Sequence, residues 1–306
     1  MKQSTQQILS ILPFILSMLM ATACTMEEQL ESTTDLIAPS NQGPISMVLL
    51  DQSYGAHDNQ SFDIYLPEDR NTETTPVLVL IHGGGWTTGD KADLDYMVTE
   101  LLDRFPNHAI VNANYVLANL PEVPAFPNQF IDIDRLLNYI ETQAATYQIA
   151  PRFGLIGLSA GAHLALMSDY LYDSEDRIKM VGSIVGPTNL ADPFYLNNPT
   201  FEDFLSLLYQ TNSGESYDGA LANLSPITYA DGDSSPTLLF YGQYDPMVPP
   251  SNGSDLSDRL SDYMISNSLT IYDGAHFFNW APADIENMYG QIEAYVSQYL
   301  NATAVD

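Results

Sequence analysis

Phe153-Gly154-Leu155-Ile156-Gly157-Leu158-Ser159-Ala160-Gly161 is the stretch on which the fold turns. Phe153 to Gly157 is a short apolar run that reads as a strand, and Ser159 to about Tyr172 reads as a helix. A strand that passes at once into a helix needs a tight turn, and the serine at that turn takes a strained backbone conformation. Glycines two before it and two after it let strand and helix approach closely. The hydroxyl then projects at the C-terminal edge of a sheet, over a helix N-terminus whose amides favour negative charge. A G-x-S-x-G pattern by itself is modest evidence. The strand–turn–helix context around Ser159 gives it weight.

Upstream, Val77-Leu78-Val79-Leu80-Ile81-His82 is a continuous apolar run, as in a strand buried on both faces of a parallel sheet. It leads into His82-Gly83-Gly84-Gly85-Trp86. Three glycines in a row cost chain entropy, and a fold keeps them where backbone amides must face a ligand. Acyl transfer needs donors for a developing oxyanion. The amides of Gly84, Gly85 and Ala160 are the candidates, with Gly83 next if the loop is offset by one. His82 precedes the serine. It reads as a brace that holds the glycine loop through a side-chain hydrogen bond, not as the base.

Downstream, Leu239-Phe240-Tyr241-Gly242-Gln243-Tyr244-Asp245 is a strand that ends in a polar turn, and Leu269-Thr270-Ile271-Tyr272 is a strand that leads into Asp273-Gly274-Ala275-His276. Asp245 and His276 therefore reach the same sheet edge as Ser159. The chain order Ser159, Asp245, His276 is that of one class of serine hydrolases. Asp231, Asp233 and Asp273 are alternative acids, but none ends a buried strand. His163, four residues after Ser159 on the helix, reads as packing, and His57 and His108 as loop residues.

Working outward, Ile45–Leu50 and Ser61–Leu66 read as two early strands, Ala109–Asn114 and Met180–Val185 as two more. Phe130, Ile133, Leu137, Ile140, Ala144 and Tyr147 mark one helical face, and Ile285, Met288, Ile292, Tyr295 and Tyr299 mark the closing helix. Strands alternating with helices predict an α/β fold: a mostly parallel central sheet with helices on both sides. Residues 187–230 break the rhythm. They carry Pro, Asn and aromatics and a short amphipathic piece from Phe201 to Tyr209, and read as a small lid-like insertion over a site.

The charge balance narrows the function. Nine Lys and Arg against 39 Asp and Glu give a formal charge of −30 in 306 residues. Such a chain repels phosphate backbones, which excludes nucleic acid as a partner. One cysteine excludes an internal disulfide and a cysteine-based zinc site. The histidines lack the spacing of a metal site, and no phosphate loop or dinucleotide motif occurs, so neither metal nor cofactor is expected.

Residues 1–23 read as a leader. Lys2 opens it, and an apolar run over residues 8–21 is interrupted by Pro13 and short for a bilayer span. Leu19-Met20-Ala21-Thr22-Ala23-Cys24 resembles a bacterial lipobox, with Ala21 where Leu is usual. On that reading Cys24 is lipidated, residues 24–44 are a flexible tether, and the domain of residues 45–306 is exported and anchored to a bacterial membrane, at the outer membrane or cell surface. A plain secretory signal is the other reading.

With these motifs in hand, the chain resembles an α/β-hydrolase serine esterase of the HGGG type, near the hormone-sensitive-lipase-like carboxylesterases and the subgroup of feruloyl and acetyl-xylan esterases. The resemblance rests on His82-Gly83-Gly84-Gly85-Trp86 with Gly89-Asp90-Lys91, Asn114-Tyr115, Gly157–Leu164, Ser225–Tyr229 and Gly242–Pro249, and covers roughly residues 60–300. Val116 stands where the family has Arg, and Ala275-His276-Phe277 where Gly-His-Gly is commoner. The resemblance implies a cofactor-free ester hydrolase acting on a small or glycan-linked ester, with Ser159 as nucleophile, His276 as base and Asp245 as orienting acid. An aryl-formamidase or amidase is the nearest enzymatic alternative. A non-catalytic surface glycan-binding lipoprotein is the alternative outside enzymes.

Overall fold

The structure is a computed structural model, and it describes residues 45–208, 217–277 and 279–301. The leader, Cys24 and the tether lie outside the described residues, as does Tyr209. All eight expected strands form: β1 (Ile45–Ser53), β2 (Ser61–Pro67), β3 (Val77–Ile81), β4 (Ala109–Ala113), β5 (Phe153–Leu158), β6 (Ile178–Ile184), β7 (Thr237–Gly242) and β8 (Asn267–Tyr272). They make one sheet in the order β1-β2-β4-β3-β5-β6-β7-β8. β1 and β2 pair antiparallel, as do β2 and β4; every other pair is parallel.

The strand period of two sorts the core onto two faces. On β3, Val77, Val79 and Ile81 join one cluster and Leu78 and Leu80 the other. The first cluster is covered by helix Asn128–Thr142, through Phe130, Ile133, Leu136, Leu137 and Ile140, by helix Ala160–Met167, and by Leu256 and Leu260 of helix Ser251–Asp262. The second is covered by Met97, Val98 and Leu101 of helix Asp95–Arg104 and by Met288 and Ile292 of helix Pro282–Tyr295. All five residues of β3 are buried, as expected of a strand with helices on both sides.

Some elements differ from the sequence reading. The helix through Phe130 stops at Thr142 and resumes as a short turn, Ala144–Tyr147. The helix after Ser159 is α-helical only to Met167 and finishes as a π-helical turn, Ser168–Tyr172. Outside the insertion, two α-helices had no expectation at all. Asp95–Arg104 carries a narrow apolar stripe among charges. Ser251–Asp262 is rich in Ser and Asp and contains Gly253, where a Cβ would collide with the Tyr241 ring, so close packing sets that residue against local propensity. Among its described residues the insertion holds four short helices, Pro193–Leu196, Pro199–Leu208, Tyr217–Asn223 and Pro226–Tyr229.

Scarce bases gather the abundant acids. Lys91 pairs with Asp51 and Asp63, Arg104 with Glu100, Glu286 and Glu293, and Arg177 with Asp134, Glu141 and Asp173. The Lys91 pairs tie the loop after the glycines to β1 and β2, next to the site.

Candidate active site

Parallel register brings the functional loops to one edge. Ile81 lies opposite Gly157, Leu158 and Phe240 both lie opposite Ile184, and Gly242 lies opposite Tyr272. The segments that follow β3, β5, β7 and β8 therefore start side by side.

Ser159 sits at φ 54° and ψ −116°, a conformation costly for any residue with a Cβ. Its N–H donates to the carbonyl of Ile184 at 2.8 Å, which pins the turn to β6. The flanking glycines have no room for a side chain: a Cβ at Gly157 would collide with the backbone of Ala162, and one at Gly161 with the carbonyl of Ile81. The strained turn follows directly from these two close approaches.

His276 Nδ1 lies 2.6 Å from Asp245 Oδ2, and His276 Nε2 lies 2.9 Å from Ser159 Oγ. A carboxylate only accepts, so Nδ1 carries the proton and Nε2 accepts from the serine hydroxyl. The other carboxylate oxygen of Asp245 accepts from the N–H groups of Met247 and Val248 at 2.8 and 2.9 Å. These bonds fix the position of the acid. Asp245 and His276 are both buried, whereas Asp231, Asp233 and Asp273 are exposed. The loop of His276 is held in turn, with Ala275 N–H donating to Asn279 Oδ1 at 2.7 Å and Trp280 Nε1 donating to the Ala275 carbonyl at 3.0 Å.

The glycine loop runs beside this serine. A Cβ on Gly83 would stand 3.4 Å from Ser159 Cβ. Gly84 has φ 108° and Gly85 φ 57°, and the left-handed path continues into Trp86 at φ 63°. The N–H groups of Gly84 and Gly85 take no partner among the described residues. That of Ala160 is the first of a helix, one of the four that lack an intrahelical acceptor. His82 braces the loop as its position suggested, its Nδ1–H donating to the Gly83 carbonyl at 2.7 Å. Burial lowers its pKa and keeps it neutral. The Tyr115 hydroxyl donates to the His82 carbonyl at 3.0 Å, and the two rings stack at 4.4 Å. Sequence reasoning gave no role to Tyr115 or to Gln129, whose amide donates to the carbonyls of Trp86 and Val116 at 2.7 and 2.9 Å. A Tyr following Asn114 at a strand end was the available signal; Gln129 offered none. Val116 needs no arginine to be held, since its N–H also reaches Asp132 Oδ2 at 3.0 Å.

A cavity of about 60 Å³ opens at Ser159. Gly85 and Trp86 form one wall, Met247 and Val248 another, and Pro187, Leu190, Tyr195, Phe201, Phe204 and Leu205 of the insertion close it. No group of three or more His, Cys, Asp or Glu among the described residues is placed to hold a metal ion, and no described helix is long and apolar enough to cross a membrane.

A mostly parallel sheet covered on both faces, with a serine at a strained strand-to-helix turn and an acid and a histidine following it in the chain, defines an α/β-hydrolase. Within that class, the chain belongs to the BD-FAE family, whose model matches residues 62–260. It is similar to the probable carboxylic ester hydrolase LipM of Mycobacterium tuberculosis, 25% identical over 256 residues that make up 75% of this chain and 57% of that protein. It is also similar to the isoprenylcysteine alpha-carbonyl methylesterase ICME of Arabidopsis thaliana, 25% identical over 237 residues, 72% of this chain and 54% of that protein. The chain thus spans about half the length of the curated relatives it matches. Among solved structures it shares its fold with a truncated carbohydrate esterase from gut microbiota, at a TM-score of 0.68 and 19% identity, covering 84% of this chain and 98% of that one.

Proposed function

We propose that the protein is a serine carboxylesterase that hydrolyses esters of short acyl groups through an acyl-enzyme. The observation that carries this reading is the continuous chain of hydrogen bonds from Asp245 through His276 to Ser159, opening on a small apolar cavity. His276 Nε2 takes the proton of Ser159 as the hydroxyl oxygen attacks the ester carbonyl. Asp245 keeps the ring oriented and stabilises its protonated form. The amides of Gly84, Gly85 and Ala160 hold the oxyanion, helped by the helix N-terminus at Ala160. The alcohol leaves with the proton from His276, and water, deprotonated by the same nitrogen, releases the acid.

Cavity size supports short acyl groups. A cavity of about 60 Å³, closed by Leu190, Phe201 and Phe204 of the insertion, suits a short apolar chain such as acetyl to butyryl. A flat aryl acyl group is larger. Turnover of a series of nitrophenyl esters tests the reading, with kcat/KM expected to peak at or below four acyl carbons and a fluorophosphonate expected to label Ser159.

The location belongs to the same proposal. Small residues ahead of Cys24, after a short apolar run, support export and lipid anchoring of the enzyme through that cysteine to a bacterial membrane. Incorporation of a palmitate analogue into the wild-type protein, and its loss in Cys24→Ser, is the expected result.

A further inference from the structure

Two walls of the Ser159 cavity come from segments far apart in the chain. Pro187, Leu190 and Tyr195 belong to the insertion after β6, and Met247 and Val248 follow the acid Asp245 after β7. Past Val248 the chain turns through Pro249 and Pro250 into helix Ser251–Asp262. An acyl chain must fit the space between these walls.

Asn252 and Asp192 join them. Asn252 is fully buried, and its Oδ1 accepts the N–H groups of Thr188 and Asn189 at 2.8 and 3.0 Å. Its carbonyl accepts the Thr188 hydroxyl at 2.6 Å. Its Nδ2 donates to Asp192 Oδ2 at 3.3 Å, and the Ser251 hydroxyl donates to the same oxygen at 2.9 Å. Asp192 is buried too and has no ion pair among the described residues. A buried acid is costly unless its oxygens are hydrogen-bonded. Its Oδ1 accepts the Phe194 N–H at 2.7 Å, which caps helix Pro193–Leu196, and its carbonyl accepts the Tyr195 N–H at 2.9 Å. Tyr195 meets Phe201 edge to face at 5.3 Å, so the hold passes on to another residue of the cavity.

We infer that Asp192 and Asn252 are positioning residues that fix the spacing of the two walls, and with it the longest acyl chain turned over efficiently. The inference rests on the esterase reading above. Neither side chain lines the cavity, so both act through the backbone they hold. A helix cap needs only one acceptor oxygen. The second oxygen of Asp192 is spent on helix Ser251–Asp262, which aligns two segments and does nothing for the cap. The insertion has other fastenings, from Phe126 N–H to the Leu208 carbonyl at 3.0 Å and from His163 to the Leu224 carbonyl at 2.8 Å. Loss of the Asp192 link therefore shifts a wall without releasing the insertion.

The pair also permits an exchange. Asp192→Asn sets an amide against the Asn252 amide, and Asn252→Asp sets a carboxylate against Asp192. The double exchange restores one carboxylate facing one amide, with the bond reversed. The amide oxygen at position 192 can still accept from Phe194, and the carboxylate at position 252 can still accept from Thr188 and Asn189.

Kinetics of the full chain on nitrophenyl acetate, butyrate and hexanoate, with the thermal midpoint of each protein, test this. Wild type should prefer butyrate to hexanoate by about tenfold or more in kcat/KM, because methylenes that an apolar pocket cannot place are costly. Asp192→Asn and Asn252→Asp should each lower that ratio by about fivefold or more, mainly through a higher KM for butyrate, and Ser251→Ala by about twofold. The double exchange should return the ratio to near wild type, which a general loss of stability would not do. Folded single variants with the wild-type ratio would overturn the inference, as would a double exchange that stays unfolded or keeps the ratio of the single variants. If the single variants do not fold, a wild-type ratio in Ser251→Ala overturns it. A wild-type protein that hydrolyses none of the three esters, or hexanoate best, would instead count against the esterase reading.

Discussion

Trp86 Nε1 donates a hydrogen bond to Nδ1 of His163 at 3.3 Å, joining the glycine loop to the helix that Ser159 begins. The rings meet edge to face at 5.3 Å. Nε2 of the same histidine donates to the Leu224 carbonyl of the insertion at 2.8 Å, so one neutral ring ties together three segments around the cavity. Trp86 needs such support because it holds φ 63° directly after Gly85, and Ala118 N–H also fastens its carbonyl, at 2.9 Å.

His163→Phe keeps a ring of similar shape and removes both hydrogen bonds. The oxyanion donors then lose part of their orientation, and misplacement of that kind lowers turnover by on the order of 10- to 100-fold. Steady-state kinetics on nitrophenyl butyrate should show the loss in kcat, with KM changed much less. An equal rise in KM at constant kcat would mean that the pair shapes only the cavity.

Ser159→Ala should lower turnover by on the order of 10⁶-fold and leave the thermal midpoint within a few degrees of wild type, because one hydroxyl at a half-buried turn is lost. Residual turnover above one part in a hundred of wild type would remove Ser159 from the mechanism.

Asp245→Asn should cost about 10⁴ in kcat, since an amide at this position can hold the wrong tautomer of His276. Asp273→Asn, at an exposed carboxylate, should be close to neutral. The reverse pattern would move the acid to Asp273.

Acid should destabilise the fold before the bulk of its carboxylates titrate. Burial lowers the pKa of His82, and pushes His108 and His163 down to about 4 from 6.5. Below pH 6.5 the unfolded chain takes up protons that these folded rings refuse, so stability falls as pH drops from 6.5 toward 4. The slope is up to about 1.4 kcal/mol per pH unit for each histidine. Asp169, raised to about 7 by burial, works in the opposite direction over the same range, and Asp95 and Asp255, raised by burial too, oppose the fall at its acid end. Urea denaturation at pH 7, 6 and 5 should show falling stability, with a shallower fall in His163→Phe. A flat profile would contradict it.

Much of this protein was legible in the residues alone. The strands are either continuous apolar runs or alternating ones, and the two core clusters simply separate odd from even positions of β3. The Gly157–Gly161 and His82–Trp86 segments announce their turns because only glycine tolerates the approaches they make. Ser159, Asp245 and His276 stood at strand ends, and a parallel sheet sends such ends to one edge. Other features could not be read in this way. Helix Ser251–Asp262 has weak local propensity and forms because Gly253 packs on Tyr241 and Leu256 on the core. Which of four aspartates meets His276 depends on burial and on two backbone amides, Met247 and Val248, that sequence does not flag. The Trp86–His163 bond and the roughly 60 Å³ left at Ser159 are relations between residues far apart in the chain. Sequence set each local conformation through propensity and glycine. Distances between side chains on different loops, and the volume left among them, were decided only when the whole core packed.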